Sequence, residues 1–555
     1  MKIRNIQGLF CYRGFHDFNH TGVEWCADHH LASLLHKSLL FLSLIHSHSF
    51  THSVPYLVPM YALTFILLAQ ALERVSSQQI YDIWQTSWDQ SKLFSGVGTG
   101  NPINFTSATA ASTTANIIVD DSTVYQTIDG FGGSMTDASA LLLSSLKSTN
   151  SENYATLMSR MWDPTDGEEG AGLSYIRVPI GANDFSATTW TILSTTLLSR
   201  ISISRRLLPY VFDVMSDILA INSALKIHLL PWSPPRWMKT GDAMNGGSLS
   251  TDMVQYYATY LFKAVEAWDA KGFPVYAVSI QNEVLNSNPT YPTALFTPAV
   301  EGQVGTMLRT LLNSSSLSAV KIIGYEHNWN DATTYPVELM EVAESAFDGV
   351  AFHCYGGTVD EQSDFYALYP SKEIYFTECS GTPGTDWWTD IKYSMNTLWI
   401  GGLANWARTG LMWNIAEDEA ALPLLPTAND CVDGCRGIVT INTNGTYVLN
   451  QEFYGLAQAS KAIIPKDVGG PFGQRIENTV EGSADWALIV GSYMTGRVSS
   501  TSNRYSLVVL NWDDSSATGT VTPVSVPATI EFRGVRASYT FPVGVTTLTW
   551  YAEAE

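Results

Sequence analysis

The chain has 555 residues, 45% apolar and 15% charged, enough for a large core plus a smaller one, and this excludes wholesale disorder. Its 52 acidic residues against 30 basic give a formal net charge of -22, which excludes nucleic-acid and anionic-membrane partners, since these need basic patches. There is no internal repeat, nucleotide-binding glycine loop or metal-ligand cluster, so neither cofactor nor metal is expected.

Residues 1–79 read as a leader region rather than a domain. Up to residue 59 they hold eight of the 11 histidines, without a sustained period and without the spacing of a defined metal site. From Met60 an apolar run, 61–68, is followed by Ala69-Gln70-Ala71. That is the pattern of a signal peptide over about 60–71 with a small-x-small cleavage site. The run is shorter than the ~20 residues a membrane helix needs. The expectation is a secreted, extracellular protein of the cell-wall space, with Met60 as its start. Residues 80–116 read as a polar approach segment. It carries the sequon at Asn104; two more lie at Asn313 and Asn444, all in loop-like context.

The run 117–120 reads as an edge strand of an accessory sheet, and 117–128 as that sheet's contribution from this side of the chain. Eight apolar runs then follow, at 129–134, 173–181, 226–231, 275–281, 321–325, 349–355, 373–378 and 410–415. Most are separated by segments long enough for helices. In 251–270, Met253, Tyr256, Tyr257, Tyr260, Leu261 and Val265 recur at helical spacing. Alternating buried runs and helices imply parallel βαβ units, and eight of them a (β/α)8 TIM barrel over 129–465. From 466 to 555 the pattern becomes short alternating strands between turn signals, which reads as a β-sandwich.

Two of the runs end in a carboxylate: Gln281-Asn282-Glu283 and Phe376-Thr377-Glu378. Burying an unpaired carboxylate at a strand end is costly. In one parallel barrel both glutamates project from the C-terminal mouth, where barrel active sites sit. Two facing glutamates are the minimum equipment for cleaving a glycosidic bond. Taken singly, each also reads as half of a structural ion pair. Arg177, inside the apolar run 173–179, needs a carboxylate partner. Trp232, His353, Tyr355, Trp413 and Asn414 also fall at strand ends. Each has a core explanation alone, but together at one mouth they fit a carbohydrate cleft. Glu326, Glu417 and Asp418 are rival carboxylates in looser context. Cys431 and Cys435 are close enough for a local disulfide, whereas Cys354 and Cys379 read equally as buried thiols or as a bridge between strands.

The motifs Asp129-Gly130-Phe131-Gly132-Gly133-Ser134, Arg177-Val178-Pro179, Asp184-Phe185-Ser186, Trp232-Ser233-Pro234-Pro235, Gln281-Asn282-Glu283, His353-Cys354-Tyr355, Phe376-Thr377-Glu378 and Gln451-Glu452-Phe453-Tyr454 occur together and in family order. On these residues the chain, over about 80–555, resembles glycoside hydrolase family 30, and within it the fungal endo-β-1,6-glucanases. The resemblance implies a barrel with a side β-sandwich and a retaining mechanism without cofactor or metal. It implies Glu283 as acid/base and Glu378 as nucleophile. Around the sugar it implies Asp184, Trp232, Asn282, His353, Tyr355 and Trp413, with Arg177 supporting the nucleophile. A monomer acting on a β-linked glucan is expected. The alternatives are a glucosylceramidase or xylanase of the same family, and a non-catalytic glucan-binding protein.

Two departures stand out. Val284 replaces the proline usual after the acid/base. The stretch 188–209 looks foreign to the family. Electrostatically, Arg177 is expected to lower the pKa of Glu378, and the charge of Glu378 to raise that of Glu283.

Overall fold

Eight runs of buried side chains become eight parallel strands. A computed structural model describes residues 78–98, 102–191, 208–428, 431, 434–498, 500–515 and 522–554. The leader region read over 1–79, all but its last two residues, and most of the foreign-looking 188–209 stretch lie outside these residues. In chain order the strands are β1 (Gln79–Ser87), β2 (Ala115–Thr127), β3 (Gly130–Ser134), β4 (Tyr175–Pro179), β5 (Lys226–Leu230), β6 (Val275–Ser279), β7 (Lys321–Asn328), β8 (Gly349–His353), β9 (Glu373–Glu378) and β10 (Thr409–Asn414). After them come β11 (Gln474–Glu481), β12 (Leu488–Thr495), β13 (Ser502–Asn511), β14 (Val526–Phe532), β15 (Val535–Phe541) and β16 (Gly544–Glu553).

Strands β3 to β9 pair in parallel, each with the next, and β10 pairs in parallel with β3. Between β9 and β10 the Arg408 N–H donates to the Ile374 carbonyl (2.8 Å) and the Trp413 N–H to the Cys379 carbonyl (2.8 Å). The Thr409 hydroxyl donates to the Phe376 carbonyl at 3.0 Å. The ring is thereby closed, as a TIM barrel requires. Every strand-to-strand connection contains helix, for example Val254–Asp269 after β5 and Pro298–Asn313 after β6. The barrel interior is filled by Tyr175, Ala277, Ile323, Ala351, Tyr375 and Leu411. Gly132 is forced by close approach: a Cβ there would lie 1.8 Å from the Tyr175 carbonyl oxygen. At the N-terminal mouth Lys226 and Arg408 pair with Asp129 (2.6 and 3.0 Å), and Lys321 with Glu373 (2.5 Å). The charges of that mouth are thus tied up in structural pairs.

The accessory sheet differs from expectation in two places. The segment read as an approach, 80–116, supplies β1, which pairs antiparallel with β16. The run read as an edge strand is the interior strand β2, antiparallel to β11 and parallel to β14. Isolated amphipathic runs show which face is buried but not who the neighbours are. The sheet runs β1-β16-β13-β12-β11-β2-β14-β15. It folds back on itself, since Thr106, just after the short strand Ile103–Asn104 beside β1, bridges to Arg536 in β15. Between its layers lie Ile83, Phe105, Ile117, Tyr505, Phe532, Leu548 and Trp550. The helix Gln451–Ile463, which follows β10, joins this sheet to the barrel and is buried on nearly all sides. Thr547 donates to the Gln458 carbonyl (2.9 Å) and Oε1 (2.6 Å), and Arg504 to the Ala462 and Ile464 carbonyls (3.0 and 2.7 Å).

Trp550 is fully buried, stacked 5.8 Å from Tyr505 and flanked by Phe105 and Phe532. Trp550→Ala is expected to cost about 3–5 kcal/mol. Denaturant unfolding would show this as a lowered midpoint.

Candidate active site

The polar residues of the sequence reading converge at the C-terminal ends of the barrel strands. Arg177 comes from β4, Trp232 and Asn282-Glu283 follow β5 and β6, His353 ends β8, Glu378 ends β9 and Trp413 lies in β10. A cavity of about 640 Å³ opens there. Asp184, Trp232, Asn282, Glu283, Tyr355, Glu378 and Trp413 line it. Arg177 and His353 do not; both are completely buried beneath its floor. Glu378 ends its strand as expected. Glu283 does not, because β6 stops at Ser279. It sits four residues on, at φ 49°, with its N–H donating to the Glu326 carbonyl at 2.9 Å. Glu326 is itself at φ 49°. Such left-handed geometry at two bulky acidic residues costs of order 1–3 kcal/mol each and clusters at functional sites.

Arg177 is the hub. Its guanidinium donates to Glu378 Oε2, to Asn282 Oδ1 (2.5 Å) and to Glu326 Oε2 (3.1 Å). It also lies 4.9 Å from the ring centre of Trp232, which packs 4.9 Å from Trp413. Glu326 accepts from Ser279 (2.6 Å) and Thr377 (2.7 Å), and meets His353 Nε2 at 3.2 Å. The Tyr355 hydroxyl donates to Glu378 Oε1 at 3.2 Å. One donor or acceptor atom from each of Glu283, His353 and Glu378 falls within 4.8 Å of the others. That spacing would also suit a cation, but the guanidinium already supplies positive charge against Glu378.

The glycosyl hydrolase family 30 TIM-barrel domain matches residues 128–420, more than half of the chain. The chain belongs to glycosyl hydrolase family 30. Among similar proteins are the endo-1,6-beta-D-glucanase of Neurospora crassa, 30% identical over 380 residues, spanning 65% of this chain and 75% of that protein, and an endo-1,6-beta-D-glucanase of Trichoderma harzianum, 32% identical over 370 residues, spanning 63% and 72%. Among solved structures, the endo-beta1,6-glucanase BT3312 superposes with TM-score 0.72 at 26% identity, covering 84% of this chain and 99% of its own.

In this family 30 hydrolase the net shifts of the two carboxyls run opposite to the sequence expectation. Burial works against ionisation of Glu283, yet His353, 3.5 Å away, together with His327 and Asn286 holds its carboxyl down to about 2. Burial pushes Glu378 up, and the charges of His353 and Arg177 offset this only in part. The physical reason is the buried neighbours. Glu326 takes a share of Arg177, and the imidazole of His353 lies nearer to Glu283 than to Glu378 (3.8 Å). Burial disfavours the charge of His353, but the three carboxylates around it raise it to about 9.

Sequence reasoning missed Asn286, which donates to Glu283 Oε2 (2.7 Å) and to the Tyr291 hydroxyl (2.9 Å). It also missed Ser380, Cys431, Gly434 and Cys435, which line the cavity. Of the rival carboxylates, Glu326 is the fully buried hub partner. Glu417 is buried beside Asn414, and Asp418 binds loop N–H groups. None of the three lines the cavity. Cysteines 354 and 379 are bridged, as are 431 and 435. Val284 is buried, and its carbonyl accepts from the Phe296 N–H.

Because the folded state raises His353 from 6.5 to about 9, its protonation contributes stability fully below 6.5 and loses it as pH rises through 9. The stability difference between wild type and His353→Asn is therefore expected to shrink between pH 6.5 and 9. Thermal melts across that range would check this.

Proposed function

We propose that this family 30 hydrolase is a retaining endo-β-1,6-glucanase, secreted and working as a monomer on glucan of the fungal cell-wall type. The observation that carries the mechanism is the proximity of the Glu283 and Glu378 oxygens, within 4.8 Å at one cavity. This fits the roughly 5–5.5 Å of retaining pairs better than the wider gap that leaves room for an inverting water. The β-1,6 linkage rests on the glucanases to which the chain is similar. Secretion is supported by two disulfides and by the exposed sequons Asn104, Asn313 and Asn444.

In this reading Glu378 attacks the anomeric carbon while Glu283 protonates the departing oxygen. A covalent glycosyl-enzyme forms, and Glu283 then takes a proton from the water that releases it. Asn282, fixed by Arg177, bonds the sugar 2-hydroxyl. Trp232 and Trp413 form an aromatic wall for the ring. The two carboxyls share one proton as a coupled pair. The productive form holds it on Glu283, whereas burial of Glu378 and the imidazole beside Glu283 favour Glu378. That ratio does not depend on pH, so it scales the working fraction without moving the limbs of the pH profile.

Glu378→Gln is expected to abolish hydrolysis of β-1,6-glucan. Glu283→Gln should lower kcat by about 10²–10⁴-fold. Added azide should trap an α-glycosyl azide with a Glu378→Gly chain and a β-glycosyl azide with a Glu283→Gly chain. NMR of the sugar first released by the wild-type chain reads retention directly, and an α-anomer there overturns the mechanism.

A further inference from the structure

A second cavity, also of about 640 Å³, lies away from the two glutamates, on the side of the barrel where the helix Gln451–Ile463 begins. Its walls include Trp387, Tyr447, Tyr454, Val448 and Gln451. Trp387 meets Tyr454 edge-on at 5.4 Å, and Val448 is 51% exposed. Aromatic rings with a few amide side chains, open to solvent, offer what a sugar needs: flat apolar faces and hydrogen-bond partners.

This cavity is not isolated. A depression of about 490 Å³ shares Gly434 and Cys435 with the catalytic cavity and Arg436 with the aromatic one. The three hollows are thus neighbours that share walls around the Cys431–Cys435 bridge. The charge balance also selects the occupant. Arg436 is the cation at the junction, but it is committed: Nη2 binds Asp390 (2.5 Å) and Glu452 (2.7 Å), Nε binds Glu452 (3.0 Å) and Nη1 the Thr382 carbonyl (2.7 Å). Glu417, Asp418 and Glu419 border the middle depression. No anion is invited, whereas carboxylates and amides are acceptors and donors for hydroxyl groups.

Resting on the glucanase reading, we propose that this series is a binding track for the uncleaved part of the same neutral β-glucan chain. The aromatic groove of Trp387, Tyr447 and Tyr454 is its far end. The track holds a polymer across the mouth and so favours long chains over short ones.

The test compares long and short ligands. In full-length Glu378→Gln chain made without N-glycans, so that no sugar on Asn444 fills the groove, calorimetry would measure binding of soluble β-1,6-glucan and of a β-1,6-linked glucotriose. Trp387→Ala/Tyr447→Ala is expected to weaken polymer binding about ten-fold, the scale of two lost aromatic contacts, with the triose unaffected. Val448→Glu, at an exposed position that leaves the packing alone, should weaken the polymer in the same sense. In active chain the same changes should raise KM for polymer with kcat retained. Unchanged polymer affinity in the natively melting Val448→Glu and double variants overturns the track while the glucanase reading stands. Wild type that leaves β-1,6-glucan uncut overturns that reading, and the track with it. A groove that binds an unrelated peptide in preference to glucan also overturns it.

Discussion

A guanidinium sealed inside a barrel must be matched by acceptors or the fold pays several kcal/mol for it. Arg177 is fully buried, and its partners come from three other strands or strand ends: Asn282 beyond β6, Glu326 in β7 and Glu378 in β9. The side chain that stabilises the mouth is therefore the one that fixes where Glu378 and Asn282 stand at the cavity. Truncating it would leave Glu326 and Glu378 their bonds from Ser279, Thr377, His353 and Tyr355 but no guanidinium against either charge, so packing and chemistry are not separable here. Glu326 completes the arrangement. It binds the backs of Arg177 and His353 and is held by Ser279 and Thr377. Preorganisation of this kind lets the site present fixed charges without rearranging during reaction.

The same constraint explains why the proton sits where it does. Glu283, Glu326, Glu378, Arg177 and His353, with His228 and His327 beside them, share one small buried volume. Each pKa then reflects the group's burial together with the charges that face it. His353 is the arbiter, because it touches all three carboxylates. A sugar wedged between Glu283 and Glu378 alters those distances and the solvation at once, so substrate binding and proton placement are coupled.

The barrel was legible because parallel strands covered on both faces read as unbroken apolar runs. The run 373–378 matches β9 residue for residue. Glu283 was legible as a mouth residue but not as a loop residue, because nothing in Ile280 to Asn282 marks the end of hydrogen bonding. Arg177 announced its need for a carboxylate, yet not that it would take two. The reversed acidities depended on the burial of Glu378 and on the bonds and charges that His353, His327 and Asn286 bring to Glu283, which no spacing encodes. Asn286 lies three residues past Glu283 in a stretch with no periodicity, so its bond to that carboxyl could only emerge from the turn. In the accessory sheet the faces were readable and the pairing was not. β1 was hidden because its partner, β16, lies more than 450 residues away in sequence, at register Ile80 to Trp550.

That last pairing has a consequence for how the molecule is made. β1, with Ile80, Ile83 and Trp84 destined for burial, leaves the ribosome more than 450 residues ahead of the strand that completes its ladder. Until then its longer edge must wait with only the short strands nearby as partners, the kind of surface that invites misassociation. Closure of the accessory sheet thus waits on the synthesis of β16, and the barrel has time to form before the sheet beside it can close.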